Sequence, residues 1–453
     1  VAISTYGVYW YWKRFGPGYH CYVEEYAERN DWTAGQWQAW QQEQLGRLLR
    51  ASADAVPYYR HVWRKPERAA ARSGRLDELP LLNKEAVREE PEAFVRRDLP
   101  APPELVFPTS GSTGTPLRTR WTTEELRRSI AVREVRSAGW AGVSFGLPRA
   151  TLSGRMVVPD PLTRGPFHRY NLVERQVYLS LYHIRADRAR AYVRALERHG
   201  VRWLTGTPVA AYLLAQAILE QQLTVPPLLA LITISEKAAP EMRQVLEQAY
   251  GCPVFDEYSC VEHGVLATEC EHHRLHVSPD VGVVEILRPD GSPCQSGEVG
   301  EVVTTSLLCT SQPLVRYRLG DLAAWDPRPC PCGRQLPVIK EIVGRVEDVV
   351  VGPDGRQMVR FHLVFSEQPH VREGQVVQEQ IDRIRLKVVP APGFGPADRE
   401  NLVQRVRRQL GPEVAVVVEL VEAIPRTASG KFQAVVSHLP KRDATSPQMT
   451  GGR

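Results

Sequence analysis

The chain has 453 residues, 43% apolar and 24% charged, a length that exceeds one compact core and calls for two or three domains. Its net charge of +5 is thin, with Arg alternating with Asp and Glu, so no basic groove for nucleic acid is written into it. No apolar run reaches the ~18 residues of a membrane span, and the opening VAISTYGVYWYWKRFGPGYH lacks the order of a secretion signal.

A reducing cytoplasm is therefore the expected compartment, where close-set cysteines read as metal ligands before disulfides. The first hundred residues read as helical. In TAGQWQAWQQEQLGRLLRASADAV, Trp37, Trp40, Leu45, Leu48 and Leu49 fall on one helical face, and Pro57 ends the pattern. From about Val106 to Val343, helices alternate with short apolar runs. RADRARAYVRALERHG predicts a helix, VRWLTG a strand, TPVAAYLLAQAILEQQ a helix and LLALITIS a strand. APEMRQVLEQAYG then predicts a helix and CPVFDEYS a strand. This alternation implies parallel β-structure with helices outside, and ligands gather at the carboxyl ends of such strands, here LTGTP and DEYSCVEHG. From Asp280 the segments become short and β-like, suggesting an antiparallel or barrel-like subdomain. IVGRVEDVVVGPDGRQM adds a hairpin with Asp354-Gly355 at its turn. IDRIRLKVVP, ADRENLVQRVRRQLG and AVVVELV then predict strand, amphipathic helix and strand in a small α+β domain. The polar tail after Leu439 is expected to be disordered.

Four stretches carry chemistry. FPTSGSTGTPL packs Ser110, Gly111, Ser112, Thr113, Gly114 and Thr115 into one loop, whose N–H and hydroxyl groups suit phosphate oxygens. It lacks the Gly-Lys-Ser/Thr ending of a Walker loop. In YSCVE, Glu262 stands at a strand end where a carboxylate could hold Mg²⁺. In VRYRLGD, Asp321 follows Gly320 and could accept two ribose hydroxyls. In IPRTASGKFQ, Lys431 is a point charge on a Gly-containing turn, suited to a carboxylate or phosphate. Taken singly, the loop reads more simply as a plain turn, Glu262 as a solvated acid and Lys431 as a surface lysine, and Asp321 equally as a turn residue.

Their order is more specific. A Ser/Thr/Gly loop, Tyr-x-x-x-Glu, Tyr-Arg-x-Gly-Asp, Gly-Arg-x-x-Asp and Pro-Arg-Thr-x-x-Gly-Lys together resemble the adenylate-forming superfamily of acyl-CoA synthetases, adenylation domains and luciferases. TSGSTGTPL, CPCGR, QVVQEQIDRIRLKVV, IPRTASGKF and VPYYR are similar to its phenylacetate–CoA ligase-like branch, which includes CapK-type capsular-polysaccharide proteins. The resemblance runs from about Trp37 to Leu439. It implies an α/β fold. Residues 1–105 form the helical start of a large domain and 106–343 its ATP- and acyl-binding core, with parallel sheets, helices and a β subdomain. Residues 348–439 form a small mobile α+β lid, hinged near Glu347, before the tail 440–453.

The implied activity is ATP-dependent conversion of a carboxylate to an acyl-adenylate, then transfer to a thiol such as coenzyme A. The alternatives are transfer to an amine, sugar or coenzyme hydroxyl, or a nucleotide-binding scaffold without turnover. Ser110 to Thr115 would hold the β- and γ-phosphates, Tyr258 would stack near adenine, and Glu262 would bind Mg²⁺. Asp321 would take the ribose, with Glu236 and Arg345 beside the nucleotide. Lys431 would bridge the acyl carboxylate and the α-phosphate. Trp203, Tyr212 and His263 are candidates for the acyl pocket and equally for plain packing. Departures from the branch are Ser259 for Gly, Val261 for Thr, Thr115 for Lys, and Ser235-Glu236 for a Gly-Glu pair. The oligomeric state is left open, a homodimer among the options.

CPCGR supplies Cys330 and Cys332, and ECEHHRLHV supplies Cys270 with three histidines. Two to three thiolates and one imidazole suit a closed, structural Zn²⁺ site. Some members of the branch carry a Cys…His…Cys-x-Cys set, which selects Cys270, His276, Cys330 and Cys332, with His272 or His273 as substitutes. Cys260 has no nucleophilic task in this chemistry, and Cys21, Cys252, Cys294 and Cys309 stand alone.

Overall fold

The computed structural model describes residues 2–109, 117–153, 157, 164–345, 350–353, 357–358, 362–365, 368–425 and 432–439. The helix Ala34–Ala55 begins at Thr33, whose hydroxyl accepts from the Gln36 N–H while the Gln36 side chain accepts from Thr33 N–H. This capping box satisfies two orphan donors at once. The helix buries Trp37, Leu45, Leu48 and Leu49 and half-buries Trp40. Pro57 does more than end it: it opens the next helix, Pro57–Val62, where its missing N–H costs nothing. These helices share one core with Leu117, Val265, Val302 and Tyr317, so they belong to the large domain.

Twelve strands form one sheet. From one edge they are Gly282–Leu287, Gly300–Ser306, Tyr317–Asp326, Val338–Arg345, Leu275–Val277 and Leu266–Glu269. The order continues with Val254–Ser259, Ala230–Ile234, Trp203–Gly206, Arg149–Ser153, Gln176–Ser180 and His168–Asn171. The run from Gln176–Ser180 to Val254–Ser259 pairs in parallel, served by the helices Ala189–Arg198, Pro208–Glu220 and Pro240–Tyr250. A parallel pair needs such a crossover. The switch comes at Leu266–Glu269, which pairs antiparallel with Val254–Ser259, Tyr258 opposite Ala267. The later strands continue that antiparallel pairing, so among the described residues they extend the sheet rather than close a separate barrel.

The helix Thr123–Arg133 runs into one π-helical turn, Glu134–Ala138. That turn presents fully buried Arg136 to Asp280 through two bonds, 2.6 and 2.9 Å, and Arg29 adds a third at 3.3 Å. The pair fastens the helical layer to the strand end that precedes Gly282.

The small domain is a four-stranded sheet in the order Ala415–Leu420, Arg383–Pro390, Val371–Gln380, Val435–Ser437. Its helix Pro396–Leu410 buries Leu402, Val406 and Leu410, one apolar stripe, against Val376, Ile384 and Leu386. Strands Val350–Val351 and Gln357–Met358 pair antiparallel; the turn expected at Asp354-Gly355 between them lies outside the described residues, as does the tail from 440.

Candidate active site

Strands Trp203–Gly206, Ala230–Ile234 and Val254–Ser259 end together, and the chain leaves them through Thr207, Ser235-Glu236 and Cys260–Gly264. At this edge the distant motifs meet. The Tyr258 hydroxyl donates to Asp321 Oδ2 at 2.8 Å, and the Tyr317 hydroxyl donates to Glu262 Oε1 at 3.2 Å. Asp321 follows Gly320, whose φ of +76° favours glycine. Across the pair of strands it sits opposite the backbone of Arg345. Gly264 closes the motif loop: a Cβ there would come within 2.0 Å of Thr304 Oγ1, so only glycine lets the loop lie against Gly300–Ser306.

Ser110 to Thr115 lie outside the described residues, but the neck of their loop is defined. Leu105–Pro108 pairs with Arg118–Trp121, Thr109 N–H donates to Leu117 O at 2.8 Å, and Leu117 N–H donates to Thr109 Oγ1 at 3.0 Å. The following helix is held by Glu125. Its buried carboxylate accepts from Thr122 N–H at 2.7 Å, Ser311 N–H at 2.8 Å and Ser311 Oγ at 2.7 Å. The glycine-loop hairpin is thereby tied to the segment that leads into the Asp321 strand. Sequence reading missed Glu125; the spacing Thr122-x-x-Glu125 is the capping-box signal that could have found it, though not its second task, Ser311.

Among the pocket candidates, Trp203 is 1% exposed and donates its indole N–H to Ser144 O at 3.0 Å, which makes it a core residue. His263 is buried too, its Nε2 3.3 Å from Ser129 Oγ and its ring 4.0 Å from that of Trp121. Burial pushes its pKa well below the ordinary value, so it is neutral at pH 7. Tyr212 is half-buried, bonded to Gln216 at 3.1 Å. Arg133 joins this layer to the motif strand, donating to Glu257 at 3.0 Å and to Ser129 Oγ at 2.6 Å; sequence reading missed it.

Lys431 lies outside the described residues. Its neighbour Phe432 donates its N–H to Glu236 Oε1 at 3.2 Å, so the small domain reaches the same strand end.

The cysteine cluster lies on the next strands over. Ligand atoms of Cys270, His276, Cys330 and Cys332 all fall within 4.8 Å of one another. Cys270 Sγ is 3.6 Å from Cys330 Sγ, and Cys332 Sγ is 3.4 Å from His276 Nε2. A tetrahedral Zn²⁺ with bonds of about 2.3 Å to sulfur and 2.0–2.1 Å to nitrogen requires separations of about 3.8 and 3.6 Å. The donor set fits. Burial pushes His276 down to about 4, leaving the imidazole neutral, the form that binds metal. His273 instead contacts Glu269 and Arg243, and His272 is exposed.

Residues 351–438 match the family model of the CapK C-terminal domain. The chain is 25% identical over 381 residues to Protein CapK of Staphylococcus aureus, covering 80% of each chain. It is 27% identical over 198 residues to a phenylacetate-coenzyme A ligase of Thermus thermophilus, covering 38% of this chain and 44% of that one. In fold it is similar to a 2-hydroxyisobutyryl-CoA ligase in complex with R3-HIB-AMP, with a TM-score of 0.71 and 22% identity, over 90% of this chain and 91% of that one. These likenesses support the resemblance to the adenylate-forming superfamily, in its CapK and phenylacetate–CoA ligase-like branch. One departure from that branch has a geometric reading. Ser235 stands where many adenylate-forming relatives have glycine, and its φ is +71°, a region where a non-glycine residue is strained.

Proposed function

We propose that the chain activates a carboxylic acid with ATP and passes the acyl group to a thiol such as coenzyme A. A carboxylate oxygen attacks the α-phosphorus, the bond to the β-phosphate oxygen breaks, and pyrophosphate leaves with the electron pair. The thiolate then attacks the acyl carbon and AMP departs. The observation that carries this reading is the convergence of Tyr258, Glu262, Asp321 and Tyr317 on one strand edge, through bonds of 2.8 and 3.2 Å.

In this reading Asp321, oriented by Tyr258, accepts the ribose hydroxyls, with Arg345 beside the nucleotide. Ser110 to Thr115 cradle the phosphates that leave. Lys431 neutralises charge building between carboxylate and α-phosphate, a task in which one donor is typically worth about 10²–10³ in rate. Glu262 is half-buried with a carboxylate oxygen turned toward Tyr317, and its oxygens suit Mg²⁺, which when bound would offset phosphate charge. Cys270, His276, Cys330 and Cys332 would hold Zn²⁺ as a clamp between strands. All four positions are protein ligands, so none is left for water.

A panel of carboxylates scored by pyrophosphate release, with Lys431→Ala alongside, tests the reading. Release with one acid class, abolished by Lys431→Ala, is expected. No release from any acid, with ATP still bound, would leave only a nucleotide-binding scaffold. Release without coenzyme A consumption would move the acyl group to an amine, sugar or hydroxyl.

A further inference from the structure

Residues 432–434 are gripped from two sides. Gln375, 5% exposed, donates its side-chain amide to Gln433 O at 2.6 Å, and Val376 N–H donates to Ala434 O at 2.9 Å. Both bonds belong to the small domain. Phe432 turns its N–H the other way, to Glu236 Oε1 of the large domain at 3.2 Å. Glu236 leaves the strand Ala230–Ile234 directly after Ser235, in the left-handed turn already described.

We propose that Glu236 is a latch. It is a positioning residue that holds the small domain, through the Phe432 N–H, in the orientation used to activate the acid. It rests on the function proposed above. Phe432 is the covalent neighbour of Lys431, one Cα step of about 3.8 Å away, so fixing the Phe432 amide restricts where the Lys431 backbone goes. The donor is a main-chain N–H that takes no part in chemistry. The acceptor is a carboxylate, which makes the bond charge-assisted and stronger than a neutral one. A single such bond is strong enough to bias an orientation by about ten- to a hundredfold, and weak enough to break when the domain must move for the acceptor to enter.

The test uses the full chain with Glu236→Ala, Glu236→Gln and Phe432→Pro, the last of which deletes the donor. Without ligands, hydrogen–deuterium exchange at the Phe432 amide should quicken about tenfold in Glu236→Ala and be largely restored in Glu236→Gln, with helix Pro396–Leu410 unaffected. Unchanged protection at Phe432 would overturn the latch whatever the activity. In ATP–pyrophosphate exchange, Glu236→Ala should lose about tenfold in kcat while the Kd for ATP, by equilibrium dialysis, stays within twofold. A rise in Kd that accounts for the loss would make Glu236 a nucleotide contact and overturn the latch. The double variant with Phe432→Pro should be no slower than the slower single one, and additive losses would refute the pairing. Wild-type protein that exchanges with no acid would sink the proposed function instead, leaving the amide exchange to decide the latch.

Discussion

Removing metal from the cysteine cluster is the sharpest test of the architecture. Cys270 and His276 lie at the end of Leu266–Glu269 and on Leu275–Val277, whereas Cys330 and Cys332 sit in the loop before Val338–Arg345. A bound ion would therefore cross-link the two limbs of one antiparallel pair. Part of that loop is held without it: Arg274 donates to Pro329 O at 2.7 Å and to Arg328 O at 2.8 Å, and pairs with Asp326 at 2.8 Å. The site is thus close to preformed, and binding energy goes into stability rather than into folding the loop. For an ion present at ~1,000 times its Kd, that stabilisation is about 4.1 kcal/mol. For a domain of this size the melting midpoint should then drop by roughly 5–10 °C on chelation. The assay is elemental analysis of protein purified under reducing conditions without chelator, followed by melts with and without chelator, for wild type and Cys332→Ser. One zinc per chain in wild type and much less in the variant is expected, with a chelator-sensitive melt only in wild type. Metal-free wild-type protein, or a melt indifferent to chelator, would refute the reasoning.

Two further outcomes follow from buried charges. Asp280→Asn leaves Arg136, fully buried, without its carboxylate, while Arg29 keeps Glu25, so the first urea transition should lose about 3–5 kcal/mol; a loss under 1 kcal/mol would mean the Arg136 guanidinium finds other partners. Asp256 is pushed up to about 6 by burial, with the Glu269 charge adding to it. The folded state thus holds its proton more tightly than the unfolded chain, a contribution present at low pH and lost as pH rises through 6. Asp256→Asn should flatten the fall in melting midpoint between pH 4 and 7 relative to wild type, and parallel curves would count against it.

What the amino-acid order determined by itself is local. The 3.6-residue spacing of Leu402, Val406 and Leu410 predicts their helix, and the apolar run at Leu231 predicts a strand, because backbone periodicity is set within a few residues. The motif letters Tyr258, Glu262 and Asp321 were also legible, through their order along the chain. Tertiary structure alone decided which distant groups touch. Arg136 meets Asp280, Glu125 meets Ser311, and Phe432 meets Glu236 across separations of 144, 186 and 196 residues. It also decided which histidine faces the thiols. Cys270, His272, His273 and His276 are close in sequence, but only the strand Leu275–Val277, paired to Val338–Arg345, carries His276 to Cys332, while the preceding turn sends His273 to Glu269. Spacing along a chain does not encode which strands pair, and it is strand pairing that converts four scattered ligands into one site.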